Sequence, residues 1–289
     1  MPSVTNVPKQ GRAKVFMTIA AVYLTSEGVV FGTDSTTTIS TQQGVAQLFN
    51  YAQKIFEVGE HSRIGVCTWG AGSVRGVSHR TLVARLADGL DLERAKVRDT
   101  ADAFMRIVAQ EYKDGADIGG LGYVLGGWDP DTHLPECYHI YFDDTKEPSV
   151  RPFSIGEASF FGNTEFFYRV FHGFDNKLPA FLLKELKNRN VRAEEGDLDV
   201  VFREAFTTAV APLLGAAGFR DLPIREAIDC IYTYLHIAIK AFKFRYGPPI
   251  CGGPIEIAFI STDRTFRWVL HKDFDRAIRE VEGKIKWTD

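Results

Sequence analysis

Apolar and polar positions change period several times along the chain, and the changes divide it into grouped elements. Short apolar runs with β-branched residues occur at Thr18–Leu24 and Gly28–Thr33, with turn chemistry at Ser26, Glu27 and Gly28 between them. This pattern predicts a β-hairpin. Residues 36–40 form a further β-prone piece. Residues 54–58 and 63–69 predict a second hairpin around Gly59, Glu60, His61 and Ser62.

The period then becomes helical, with Val74, Val77, Leu82, Val83 and Leu86 on one face and Phe104, Ile107, Val108 and Tyr112 on another. Helices are expected over 74–86 and 101–112. Strand character returns at 121–128, 137–142 and 150–155, broken by the turn residues Asp129, Pro130 and Asp131. Residues 164–242 read as mainly helical, with an apolar stretch over 224–242 that calls for burial along much of its length. A last hairpin is expected from 255–261 and 265–270, followed by a helix over 274–285. Strands grouped apart from helices indicate stacked antiparallel sheets covered by helices, not a parallel βαβ sheet.

Composition narrows the class. Of 289 residues, 45% are apolar and 25% charged, the balance of a soluble globular chain. With 34 basic and 37 acidic side chains the net charge is -3, so no general positive field draws the chain to nucleic acid or an anionic membrane. The apolar runs fall far short of the roughly 20 residues that span a bilayer. Cys67, Cys137, Cys230 and Cys251 form no CxxC pair, which leaves reduced thiols in a cytoplasmic protein as the simplest expectation. His139, His172, His236 and His271 have no metal-ligand spacing, and nothing calls for a metal or organic cofactor. Residues 1–17 carry Lys9, Arg12 and Lys14, no acid and no apolar core of a secretory signal. A disordered leader, a propeptide, an upstream start codon and a short transit peptide all fit them. Residues 18–289 are expected to make one domain, enlarged by a helical segment near 175–222.

Candidate chemistry centres on the first hairpin. A hydroxyl, Thr18, starts one strand and a carboxylate, Asp34, ends the next, so an antiparallel return brings them together. Lys54, opening the third run, adds an amine. A threonine hydroxyl needs a base, and its own α-amino group, with an unperturbed pKa of about 7.7–8.0, is the most economical one. That base exists only if Thr18 is the first residue; Met17 before it is what initiator-methionine removal acts on. Taken singly, Asp34 also fits a turn cap and Lys54 an edge-strand charge.

The ordered set of Thr18, the run from Gly28 to Ser35 ending in Asp34-Ser35, the run Gln53 to Val58 around Lys54-Ile55, and Ile64–Val66 followed by Trp69-Gly70-Ala71-Gly72 resembles proteasome β subunits and their bacterial relatives, the HslV peptidase and the ancestral β-subunit group. Cys251-Gly252-Gly253 before the strand at 255–259 is similar to that family's Ser-Gly-Gly. The resemblance spans roughly residues 18–271. It implies an α+β, four-layer αββα sandwich of two antiparallel sheets flanked by helices, the Ntn hydrolase fold. It also implies a threonine peptidase or amidohydrolase with Thr18 as nucleophile, Lys54 lowering the effective pKa of its hydroxyl, Asp34 holding Lys54, and the Gly70 amide as oxyanion donor. Thr36, Thr68 and Gly72 would line the substrate pocket, with Thr68 as a neutral floor.

Besides Thr36, which stands where an arginine or similar residue is common, the chain departs from the family pattern in two places: Asn163 follows Gly162 where a serine is usual, and near the late strand Cys251 replaces the serine of Ser-Gly-Gly while Pro248 stands where an aspartate is usual. Both weaken the support of the amine, and a catalytically inactive proteasome-like shell or scaffold subunit is the second reading. The implied partners are further copies of the chain in a ring-like homo-oligomer and a peptide or protein substrate. The sequence does not specify an ATP-driven unfoldase.

Overall fold

The structure, a computed structural model, describes residues 18–41, 44–112, 120–143, 146–172, 177–189, 200–201, 204, 221–246 and 251–272. It is a mixed α+β arrangement built on two antiparallel five-stranded sheets. The first sheet runs β10-β1-β2-β11-β12, from β1 (Ile19–Leu24), β2 (Gly28–Thr33), β10 (Ala158–Gly162), β11 (Glu256–Ser261) and β12 (Arg264–Leu270). The second runs β5-β6-β7-β8-β9, from β5 (Ile55–Glu57), β6 (Ile64–Gly70), β7 (Leu121–Trp128), β8 (Pro135–Asp143) and β9 (Lys146–Pro152). A separate hairpin joins β3 (Thr37–Thr41) and β4 (Gly44–Phe49).

The apolar runs of β1 and β2 follow from burial on both faces. Alternate side chains point to opposite sides of a strand. Ala20, Val22, Leu24, Val29 and Phe31 enter the core shared with Ile55, Cys67, Trp69 and Val124 of the second sheet. Ile19, Ala21, Tyr23 and Val30 point the other way, against Ala227, Ile231, Leu235, Ala238 and Phe242. Those five residues form one stripe of the 20-residue helix over Ile224–Lys243. The second sheet is treated alike: Ile64, Val66, Leu121, Tyr123, Leu125 and Phe142 face away from the first sheet and pack on α1 (His79–Asp88) and α2 (Val97–Tyr112). With α3 (Glu165–His172) and α4 (Leu178–Asn188) preceding it, the Ile224–Lys243 helix is α5. Its first amide, on Ile224, donates to Glu27 Oε2 at 2.8 Å, which ties the helix start to the β1–β2 turn.

Three expectations change. Residues 74–77 are not helical, because Val74 and Val77 close a tight bridge through Arg75 (φ 50°) and Gly76 (φ 83°). The helix starts only after Ser78, whose Oγ accepts the Thr81 amide at 3.1 Å. β4, paired antiparallel with β3, is a strand that the apolar pattern did not predict. A second, β10, forms because the free edge of β1 recruits it, with Ile19 opposite Gly162. The helix expected over 274–285, and nearly all of the enlarged segment between 190 and 220, lie outside the described residues. Among the described residues no helix is long and apolar enough to cross a membrane.

Close approach of α5 to β2 needs Gly32, since a Cβ there would collide with the Ile231 side chain. Gly32→Val should therefore cost about 1–3 kcal/mol through overpacking. The measurement is urea denaturation; an unchanged midpoint would mean that α5 does not sit on β2.

Candidate active site

The β1–β2 hairpin sets the site. Its register pairs Ala20 with Thr33, and the next step brings the Asp34 amide to the Ile19 carbonyl at 3.1 Å. The Asp34 carboxylate is fully buried and takes four donors. Oδ1 accepts from the Ile19 amide at 3.1 Å and from Lys54 Nζ at 2.5 Å. Oδ2 accepts from the amides of Thr36 at 3.3 Å and Gly252 at 3.1 Å. Lys54 Nζ also donates to the Thr36 carbonyl at 2.6 Å. A buried ion pair holds only when its remaining hydrogen-bonding capacity is met, and these contacts meet it for the carboxylate. One oxygen thus bridges the Lys54 ammonium and the amide that follows Thr18.

Thr18 is buried immediately before β1. Its carbonyl accepts from the Asn163 amide at 2.9 Å. Gly162, at φ 81°, presses so close that a Cβ would overlap the Thr18 carbonyl oxygen. The Asn163 side-chain oxygen accepts from the Glu165 amide at 3.3 Å, at the start of α3. Cys251 is buried, and burial together with the negative charge of Asp34 pushes its thiol pKa well up. Its neighbour Gly252 supplies one of the four donors on Asp34.

Gly70 ends β6 at φ 96°, where a Cβ would strike the Gly120 carbonyl. Two residues earlier, the Thr68 amide donates to the Lys54 carbonyl at 2.9 Å, so β6 lies beside the segment that carries the lysine. The Thr68 hydroxyl donates to the Gly122 carbonyl at 3.2 Å and the Thr36 hydroxyl to Asn50 Oδ1 at 3.0 Å; both threonines are buried. Gly72 lies against Thr37, at ordinary contact distance for an added Cβ. The structure therefore gathers Ile19 (next to Thr18), Thr36, Lys54 and Gly252 (next to Cys251) around the Asp34 carboxylate, attaches Asn163 through the Thr18 carbonyl, and joins Thr68 through the Lys54 carbonyl.

The sequence pattern missed two groups. His79 Nε2 lies 2.8 Å from the Ala71 carbonyl, which requires a proton on that nitrogen, so Nδ1 accepts from Tyr123 Oη at 2.9 Å. Burial lowers the His79 pKa, and this contact fixes the turn between Gly70 and Gly72. The second group is Lys272 with Glu256, both buried. Opposite charges at the two ends of the expected 255–270 hairpin were the only available signal for it. Among the described residues no group of His, Cys, Asp or Glu could hold a metal ion. No protein-family model matches the chain, and no curated protein matches it.

Lys54→Met leaves the Asp34 carboxylate buried without its cation and should destabilise the fold by about 3–5 kcal/mol. Asp34→Asn/Lys54→Met should recover much of that loss. Guanidinium denaturation of the two variants decides the point, and equal stabilities would show that the pair does not share one buried environment.

Beside Gly70, Trp69 stacks with Tyr141 and His139, and His139 also lies 4.7 Å from Phe161. Burial, with help from Arg151, lowers the His139 pKa to about 4. Its folded value lies below its unfolded value near 6.5, so the unfolded chain binds the extra proton. Stability should fall as pH drops from about 6.5 to about 4, by no more than about 3 kcal/mol from this residue. His139→Phe should flatten that part of a melting-temperature profile, and an unchanged slope would assign the loss to other groups.

Proposed function

We propose that the chain is an N-terminal-threonine hydrolase resembling proteasome β subunits, acting on amide bonds in peptides or proteins once residues 1–17 are removed. The finer architecture that goes with this reading is the four-layer αββα sandwich of Ntn hydrolases. The observation that carries it is the Asp34 carboxylate, which bridges Lys54 Nζ and the Ile19 amide next to Thr18.

In the proposed reaction the free α-amine of Thr18 takes the proton from its own hydroxyl as Oγ1 attacks the substrate carbonyl. The Lys54 ammonium stabilises the developing alkoxide, while Asp34 keeps that ammonium in place. The Gly70 amide donates to the tetrahedral oxyanion, a contact worth about 3–4 kcal/mol in comparable sites. The amine returns the proton to the leaving amine as the C–N bond breaks. Water then cleaves the resulting ester and restores Thr18. No metal or organic cofactor enters the scheme. A neutral Thr68 floor goes with uncharged residues before the cleaved bond, because a buried unpaired charge is costly. A ring-like homo-oligomer and a cytoplasmic location complete the proposal; the four cysteines, all free thiols, are consistent with that compartment.

The second reading is a catalytically inactive scaffold subunit of the same type. It is favoured by Asn163, whose side-chain oxygen is engaged by the Glu165 amide, and by the buried Cys251 thiol. Neither offers Thr18 the hydroxyl that active relatives are expected to supply.

A chain beginning at Thr18 should hydrolyse a small amide or peptide substrate and should be labelled at Thr18 by a threonine-directed electrophile. A chain retaining residues 1–17 should do neither, since an internal Thr18 has an amide in place of its base. Thr18→Ala should abolish turnover, Thr18→Ser should keep some, and Lys54→Ala should lower it by at least about 100-fold. Intact mass locates the adduct. A folded, trimmed chain that neither turns over nor labels would establish the scaffold reading.

A further inference from the structure

A second buried ion pair lies directly behind Asp34 and Lys54. Lys272, which follows β12 by two residues, has a side chain 1% exposed, and the Glu256 side chain at the start of β11 is fully buried. Lys272 Nζ donates to Glu256 Oε2 at 2.7 Å, to the Ala52 carbonyl at 2.8 Å and to Ser35 Oγ at 3.4 Å. Each contact bears on the first pair. Ser35 adjoins Asp34, and Ala52 lies two residues before Lys54. The Ala52 amide donates to the Ser35 carbonyl at 2.9 Å, and the Ser35 amide donates to the carbonyl of Gly252 at 3.0 Å. Gly252 is itself a donor to Asp34.

We propose that Lys272, oriented by Glu256, is a positioning residue that holds the Asp34 and Lys54 segments at their working separation. This rests on the hydrolase reading for its consequence in turnover, but not for its geometry. A buried ion pair is an inefficient source of stability, since apolar side chains of similar volume do as well or better. What the ammonium adds is direction. Its three acceptors lie on three separate segments, and one fixed donor sets where all three meet. Burial lowers the Lys272 pKa, while Glu256 opposes the shift. The fields of Lys54 and Asp34 reach the same amine. At the outer end His271 Nδ1 sits 2.8 Å from Glu256 Oε1, with its ring stacked on Trp268 at 4.0 Å.

The test reads Lys54 directly, in the full chain, by its rate of reaction with a water-soluble amine-acylating reagent, followed by peptide mass analysis. Lys272→Met should raise the acylation rate of Lys54 by at least about tenfold through local opening, with other amines unchanged. Glu256→Gln keeps an acceptor for Lys272 and should leave Lys54 protected. If Lys272→Met fails to fold, Glu256→Leu/Lys272→Met removes both charges together, and the same rise is expected there. In a chain beginning at Thr18, Lys272→Met should lower kcat by about 100-fold with little change in KM, as a small displacement of a reacting group does. Unchanged Lys54 acylation in a folded variant lacking Lys272 overturns the proposal. A rise in acylation with unchanged kcat overturns its catalytic consequence. If the unsubstituted trimmed chain shows no turnover, the hydrolase reading fails, and the acylation arm still decides the positioning role.

Discussion

A carboxylate removed from water must find all of its donors within the protein, and Asp34 draws four of them from four stretches of chain. They are the residue after Thr18, the start of the β3 hairpin, the lysine before β5 and the glycine before β11. An unmet lone pair on a buried carboxylate costs several kcal/mol, so these stretches cannot drift independently. The β1–β2 register fixes the first donor. The pairing of β2 with β11, which sets Thr33 opposite Glu256, brings the Gly252 segment into reach. The position of Lys54 depends on β6, whose Thr68 amide holds the lysine carbonyl. One charge therefore links both sheets at the end where Thr18 lies.

The sheets reach that arrangement because several crossing points carry no side chain. Gly32 lets α5 settle on β2, and Gly122 leaves room for the Trp69 ring. Gly162, in a left-handed conformation, lets β10 close on the Thr18 carbonyl. Trp69 in turn anchors a stack with Tyr141 and Phe161 beside Gly70. The shape of the candidate site thus derives from a balance of bulk and its absence in the cores on either side of it.

The same geometry explains how the segments of Asn163 and Cys251 support the frame around Thr18 whatever their side chains. Asn163 and Cys251 act through their surroundings: the Asn163 amide holds Thr18, and the residue after Cys251 holds Asp34. Backbone groups perform these tasks whatever the side chain. Side-chain chemistry is a separate matter, because an amide engaged at the start of α3 and a buried thiol do not reproduce two hydroxyls. The frame around Thr18 and the proton transfer proposed for Thr18 therefore rest on different groups of this chain.

Local pattern determined a good deal. Alternation and turn residues placed β1, β2, β6, β7, β11 and β12 within a residue or two, and β1 and β2, buried on both faces, have to be apolar throughout. The return of a hairpin brought Asp34 to Ile19, beside Thr18, because that contact depends on nearby sequence alone. Tertiary context decided the rest. Ala158–Gly162 has little strand signal and becomes β10 only because β1 offers a free edge. The left-handed turn at Arg75 and Gly76 delays α1 despite the apolar spacing from Val74 onward. Lys272 and Ser35 meet across 237 positions of sequence, and Gly252 reaches Asp34 across 218. No local period encodes such contacts, because hydrophobic patterning specifies which face of an element is buried, whereas sheet order specifies which distant segments share a buried charge.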